Sequence, residues 1–176
     1  MIREVMANDQ ETPEQYRARL AGYIKGKDVL EMQREAPTTV ARLIAGIPEE
    51  KLLRRSAPKK WSVVEIIAHL AEDELSSSWR YRQMIEHDGA ELLGFDQDEW
   101  ARLGDYHSWT AHDALEMFRL LREANLRMLN MLSPDEWERA GKHAERGRLT
   151  VRELASHMAA HDINHIQQIE RLLAQG

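Results

Sequence analysis

The stretch T-V-R-E-L-A-S-H-M-A-A-H-D-I-N-H-I-Q-Q-I-E-R-L-L-A, Thr150 to Ala174, decides the fold. Thr150 and Glu153 have the spacing of a helix-opening capping box, in which each side chain answers the other's orphan backbone N–H. Beyond them the apolar residues recur at helical spacing. At 100° per residue Val151, Leu154, Ala155, Met158, Ile166, Ile169, Leu172 and Leu173 share one face, the stripe of a core helix. His157, His161 and His165 form a ladder at i, i+4 and i+8 beside that stripe, with the His161/His165 pair leaning furthest inward. Two histidines on adjacent turns lie ~6 Å apart along the axis, close enough to share one divalent cation. The same spacing also describes a polar flank with one part-buried histidine, and the helix alone does not choose.

The same start signal recurs upstream. Thr12-Pro13-Glu14-Gln15, Asp28 with Glu31, Ser62 with Glu65, Thr110 with Asp113 and Ser133-Pro134-Asp135-Glu136 each place a capping oxygen three residues before an acid or amide. They predict four long helices, at about 28–46, 62–87, 110–132 and 150–174, after an N-terminal arm with a short helix at about 12–23. Pro37 should kink or split the first long helix, because it has no N–H to give. No segment alternates with period two over a strand's length, so no sheet is expected. The expected architecture is an all-α four-helix bundle: an arm over 1–27 and a bundle domain over 28–176. The stretch 88–109, with three glycines and Phe95, Trp100, Tyr106 and Trp109, is long for a loop in a compact domain. It reads as a crossover between the second and third bundle helices, and could also serve as a lid.

Composition narrows the function. Of 176 residues 43% are apolar and 31% charged, which fits a globular domain and neither a disordered nor a membrane-embedded chain. A net charge of −6 argues against nucleic acid as partner, since phosphate binding needs clustered lysine and arginine. The absence of cysteine removes disulfides, thiolate ligands and a cysteine nucleophile. It fits a reducing cytoplasm. The polar start MIREVMANDQ predicts no signal peptide, and no apolar run approaches the ~20 residues of a membrane span.

Two polar residues stand out on core faces. Asp162 falls in the apolar stripe between Met158 and Ile166, and Asn125 is centred among Ala114, Phe118, Leu121, Met128 and Leu132. Buried polar groups need partners, so an internal network or a polar pocket is expected. His69 reads the opposite way. On a straight wheel its neighbours are Ser62, Glu65, Glu72, Asp73 and Ser76, which makes it a surface histidine.

The sequence W-S-V-V-E-I-I-A-H-L-A-E at Trp61–Glu72, and G-R-L-T-V-R-E-L-A-S-H-M-A-A-H-D-I-N-H-I-Q-Q-I at Gly147–Ile169, resemble the DinB/YfiT-like superfamily of metal-dependent enzymes. The resemblance covers roughly residues 28–174. It implies a four-helix bundle with a long crossover. It also implies a divalent metal held by His69, His161 and His165, with positions left open for water or substrate. Where the family often has Asp three residues after the first histidine, this chain has Glu72, a longer reach; near the ligands Glu72 and Asp73 are both candidate general bases, and of the two Asp73 reads rather as a solvated acid. His143 and His157 are alternative ligands, and His87, His107 and His112 read as surface residues.

Zinc is the default metal, with nickel as the alternative, because imidazole ligands suit either. The activity implied is that of a thiol-dependent S-transferase or a hydrolase acting on a small molecule. A transferase would draw on a low-molecular-weight thiol as cosubstrate. The alternative is a non-catalytic, stress-associated bundle that binds metal or ligand. Self-association as a homodimer is expected from spare tryptophan and methionine.

Overall fold

The computed structural model describes residues 12–144 and 146–175; the first eleven residues of the expected arm lie outside the described residues. Four long helices form the bundle: α2 (Val29–Ile44), α4 (Val63–Glu86), α6 (Ala111–Leu129) and α8 (Val151–Ala174). Helix α1 (Pro13–Ile24) precedes them. Short helices α3 (Glu49–Leu52), α5 (Gln97–Leu103) and α7 (Pro134–Glu138) lie in the connections, with a 3₁₀ turn at Tyr106–Ser108. Each expected cap is in place. Thr12, Ser62, Ser133 and Thr150 close full capping boxes, and Asp28 and Thr110 accept from backbone N–H groups of their first turns.

In the bundle, α4 packs against α6 and α8, and α2 packs against the same two. The core between them holds Val40, Ile66, Ile67, Leu70, Phe118, Ile166 and Ile169, all buried. A second apolar cluster at the other end joins Tyr81, Met84 and Leu129 to Leu154 and Met158. Helix α1 lies on α8, where Tyr16 and Leu20 bury themselves against Ala160.

Two expectations need correction. Helix α2 neither ends nor splits at Pro37. The carbonyl that Pro37 cannot serve, that of Gln33, accepts a hydrogen bond from Arg122 Nη1 at 2.6 Å, so the gap in the helix ladder is filled from α6. The chain also contains a small sheet. Strand β1 (Ala90–Leu92) pairs in parallel with β2 (Ala140–His143), which pairs antiparallel with β3 (Gly147–Thr150). Strands of three and four residues are too short to show alternation. Gly141 lets β1 and β2 approach: a Cβ there would meet Leu92 Cδ1 and Cγ at 2.5 Å. Strand β3 runs straight into α8, and Thr150 closes the strand while capping the helix.

Asp162 and Asn125 are buried, and a network explains both. The guanidinium of Arg122, itself 1% exposed, donates to Asp162 Oδ2 at 2.7 Å and Oδ1 at 3.0 Å, and to Glu74 Oε1 at 2.8 Å. Asn125 Nδ2 donates to Glu74 Oε2 at 2.8 Å. With the Gln33 carbonyl, this ties all four bundle helices together around one cation. Burial and the two carboxylates act in opposite directions on Arg122, and the net result raises its pKa, so it stays charged.

Candidate metal centre

Helix α4 supplies His69 and α8 supplies His161 and His165. His161 Nε2 lies 3.2 Å from His69 Nε2 and 3.1 Å from His165 Nε2. The wheel places His69 at the surface; the structure buries it, with 2% exposure. The wheel assumes one solvent-facing side, and the first turns of α4 have none. The loop tryptophan Trp61 lies tilted against His69 at 4.9 Å between ring centroids, Tyr106 of the crossover packs against Trp61, and α8 covers the rest.

One of the three imidazoles is held from behind by a hydrogen bond. His165 Nδ1 faces Gln168 Oε1 at 3.0 Å. An amide oxygen only accepts, so Nδ1 carries the proton and the Nε2 lone pair points inward. His161 Nδ1 lies 3.5 Å from Asp73 Oδ2, too far for a formed hydrogen bond, and is left buried without a hydrogen-bond partner among the described residues. Burial first, then the neighbouring imidazoles, push His161 well below its usual pKa, and His69 likewise. His165 is pushed down to about 4, chiefly by burial. Three neutral rings therefore direct Nε2 atoms at one point. Four ligands at 2.0–2.1 Å from a tetrahedral zinc stand about 3.3 Å apart, so the observed spacing can hold a divalent cation.

The carboxylates reverse their expected places. Asp73 is buried, lines the same cavity as the histidines, and is pushed up to about 6, chiefly by burial and against the pull of Arg80 and Arg146. Ser76 Oγ donates to it at 3.3 Å. Glu72 is half-buried and is not among the residues lining the cavity; its Oε2 accepts from Tyr106 Oη at 2.7 Å. Asp73, a candidate base beside Glu72 but read as a solvated acid, is buried for the same reason as His69: the helical wheel assigns both to a solvent face that the fold covers.

The cavity measures 60 Å³. Ser77 and Met158 form one wall, with Ser77 Oγ 3.1 Å from Met158 Sδ. His143 and His157 line the cavity too, but neither joins the close cluster. His157 Nε2 is 3.2 Å from Arg146 Nη2, and burial and that arginine hold the ring neutral, at about 3. His87, His107 and His112 are exposed, as read from the sequence.

The sequence profile of the DinB superfamily matches residues 33–169, which span both histidine-bearing helices. The chain belongs to the DinB superfamily. Among curated members, it is 25% identical over 138 residues to a protein of Oceanobacillus iheyensis named "Putative metal-dependent hydrolase", covering 78% of this chain and 80% of that one. A protein of the same name from Halalkalibacterium halodurans is 22% identical over 153 residues, covering 85% and 89%. The solved structure of YfiT from Bacillus subtilis superposes with a TM-score of 0.78 at 16% identity, covering 97% of this chain and 92% of that one. It is described as a probable metal-dependent hydrolase with an unusual four-helix bundle topology. The DinB fold of the present chain is therefore that bundle, with the small sheet at one end. Among the described residues, no helix is long and apolar enough to cross a membrane.

Proposed function

We propose that this chain is a metal-dependent hydrolase of a small molecule, with His69, His161 and His165 as the ligands of a zinc ion. One observation carries this reading: three neutral imidazoles converge in a small cavity, with the outer nitrogen of His165 held by Gln168 and that of His161 facing the Asp73 carboxylate at 3.5 Å. Three protein ligands leave a fourth position for water or substrate, the pattern of a catalytic rather than a structural site. When bound, the cation supplies a Lewis acid that lowers the pKa of a water or thiol towards ~7. Nickel fits the same donor set. The names borne by the relatives support the hydrolytic reading.

The protein's own residues do the remaining work. Asp73 orients His161 and is the carboxylate placed to accept a proton inside the cavity. Glu72, engaged by Tyr106, is assigned to holding the crossover against α4 rather than to the base role first expected of it. Tyr16, Leu149 and Leu154 narrow the cavity and limit water.

A thiol-dependent S-transfer is the second reading. It is favoured by ligands that are all uncharged, which leave a cation's full charge to stabilise an added thiolate. The chain has no cysteine, so that thiol would come from a small cosubstrate. The test is a panel of ester and amide substrates, and of electrophiles with added thiols, assayed on zinc-loaded and chelated protein. Zinc-dependent turnover without thiol supports the hydrolase, and turnover that needs thiol supports the transferase. Zinc binding with no turnover on either panel leaves a non-catalytic binding bundle.

A further inference from the structure

The cavity's charge is opposite to that of the protein. The chain carries −6 overall. Among the described residues lining the cavity, Asp73 is the one carboxylate, and Arg80 and Arg146 are two fixed cations. They come from different elements, Arg80 from α4 and Arg146 from the turn between β2 and β3. Arg80 is held in place: its Nη2 donates to the carbonyl of Leu93 at 2.8 Å, and its guanidinium lies 5.4 Å from the centroid of Phe95. Arg146 is exposed at the rim and anchored to His157. Burial, with the charge of Arg146, lowers the pKa of Arg80 despite the opposing effect of Asp73.

Two cations converging on one space, with a single carboxylate beside them, favour an anion between them. A planar guanidinium fork matches an oxyanion in two parallel hydrogen bonds, and a low-dielectric wall strengthens them. The small cavity admits a head group, with the rest of a substrate outside the mouth.

We propose that Arg80 and Arg146 form an oxyanion subsite beside the three histidines, so that the substrate is a small molecule bearing a carboxylate or a phosphate. This deepens the proposed function in its substrate class, and rests on reading the cavity as a substrate site but not on which reaction occurs there. Arg80 and Arg146 are specificity-determining residues: they select what sits next to the imidazoles.

Isothermal titration with inorganic phosphate, and separately with acetate, on metal-free and zinc-loaded protein at low ionic strength tests this. One equivalent of at least one anion should bind the metal-free protein. Arg146→Gln should weaken that binding tenfold or more, while zinc affinity measured against a competing chelator stays within threefold. Arg80→Gln should act the same way, and Arg80→Lys should weaken binding less, since it keeps charge but loses the fork. If Arg80→Gln fails to fold, Arg146→Gln decides alone. Stronger phosphate binding points to a phosphate substrate, and acetate without phosphate points to a carboxylate. Failure of the metal-free protein to bind either anion, or unchanged binding in Arg146→Gln, overturns the proposal. Anion binding that needs zinc and ignores both arginines overturns it too. Absence of turnover with this subsite intact counts only against the reaction proposed above.

Discussion

Pro37 of α2 and Arg122 of α6 meet through one oxygen atom, the carbonyl of Gln33. The proline removes the helical donor that this carbonyl would have had, and the guanidinium replaces it at 2.6 Å. The same guanidinium pairs with both Glu74 and Asp162, one sequence position from Asp73 and His161 respectively.

Replacing Arg122 by Leu should therefore cost about 3–5 kcal/mol in urea unfolding, because two buried carboxylates lose their cation. Pro37→Ala supplies a backbone N–H to Gln33. Its stabilising effect should be about 1 kcal/mol larger in the Arg122→Leu background than in the wild type. Equal effects in both backgrounds would show that the two residues are not coupled.

Asp73→Asn tests the support behind His161. Loss of the carboxylate should lower zinc affinity about 10–100-fold, with the far-ultraviolet spectrum unchanged, the usual scale for removing a partner from a metal-bound histidine. Glu72→Gln should leave zinc affinity alone. The reverse ranking would return the role to Glu72.

Zinc should raise the melting temperature. At a free concentration 100 times Kd the gain is about 2.7 kcal/mol, which is about 5–11 °C for a chain of this length. His161→Gln should abolish that rise while leaving the metal-free melting point within a few degrees. A variant that melts with the wild type's zinc-dependent shift would remove His161 from the site.

Acid should destabilise the metal-free protein. An unfolded histidine titrates near ~6.5, whereas His165 is held at about 4, His157 at about 3, and His69 and His161 well below normal. Below ~6.5 the unfolded chain binds more protons at these sites, so stability falls as pH drops. Asp73 and Asp162 act in the other direction, because burial raises them to about 6 and about 7 and the native state takes up their protons first. Four histidines against two aspartates leave a net loss of stability between pH 6.5 and 4, at most about 1.4 kcal/mol per unit for each group. Urea midpoints at pH 7.5, 6 and 5 should decline in that order. A rising series would show that the histidines are not held neutral.

The bundle was legible because its signals are local. A cap, an acid three residues on and a 3.6-residue stripe lie within a single helix, and they placed α2, α4, α6 and α8 within a few residues of their observed ends. Asp162 and Asn125 announced a network without naming its centre. Their burial demanded a cation, and that demand was the signal pointing to Arg122. His69 and Asp73 were misplaced because their covering comes from Trp61, Tyr106 and α8, distant contacts that no wheel contains. The pairing of His69 with His161 and His165 came from family resemblance rather than from spacing. The sheet was invisible because its strands are three and four residues long, too short to show alternation, and because β1 pairs across the chain, Ala90 with Gly141.

That pairing also sets the order in which the site is assembled and comes apart. The three histidines stand on α4 and α8, whose packing is deep and continuous. Arg146, His143 and Leu149 stand on the hairpin, and Phe95 and Gln97 follow β1, which joins β2 only after α6 has folded back between them. Strands of three and four residues are held by few ladder hydrogen bonds and open before long packed helices. Amide hydrogens of Gly141 and Leu92 should exchange faster than those of Ile66 and Ile67. The cation-holding half of the site is thus the durable half, while the wall that meets the substrate can detach and re-form without disturbing it.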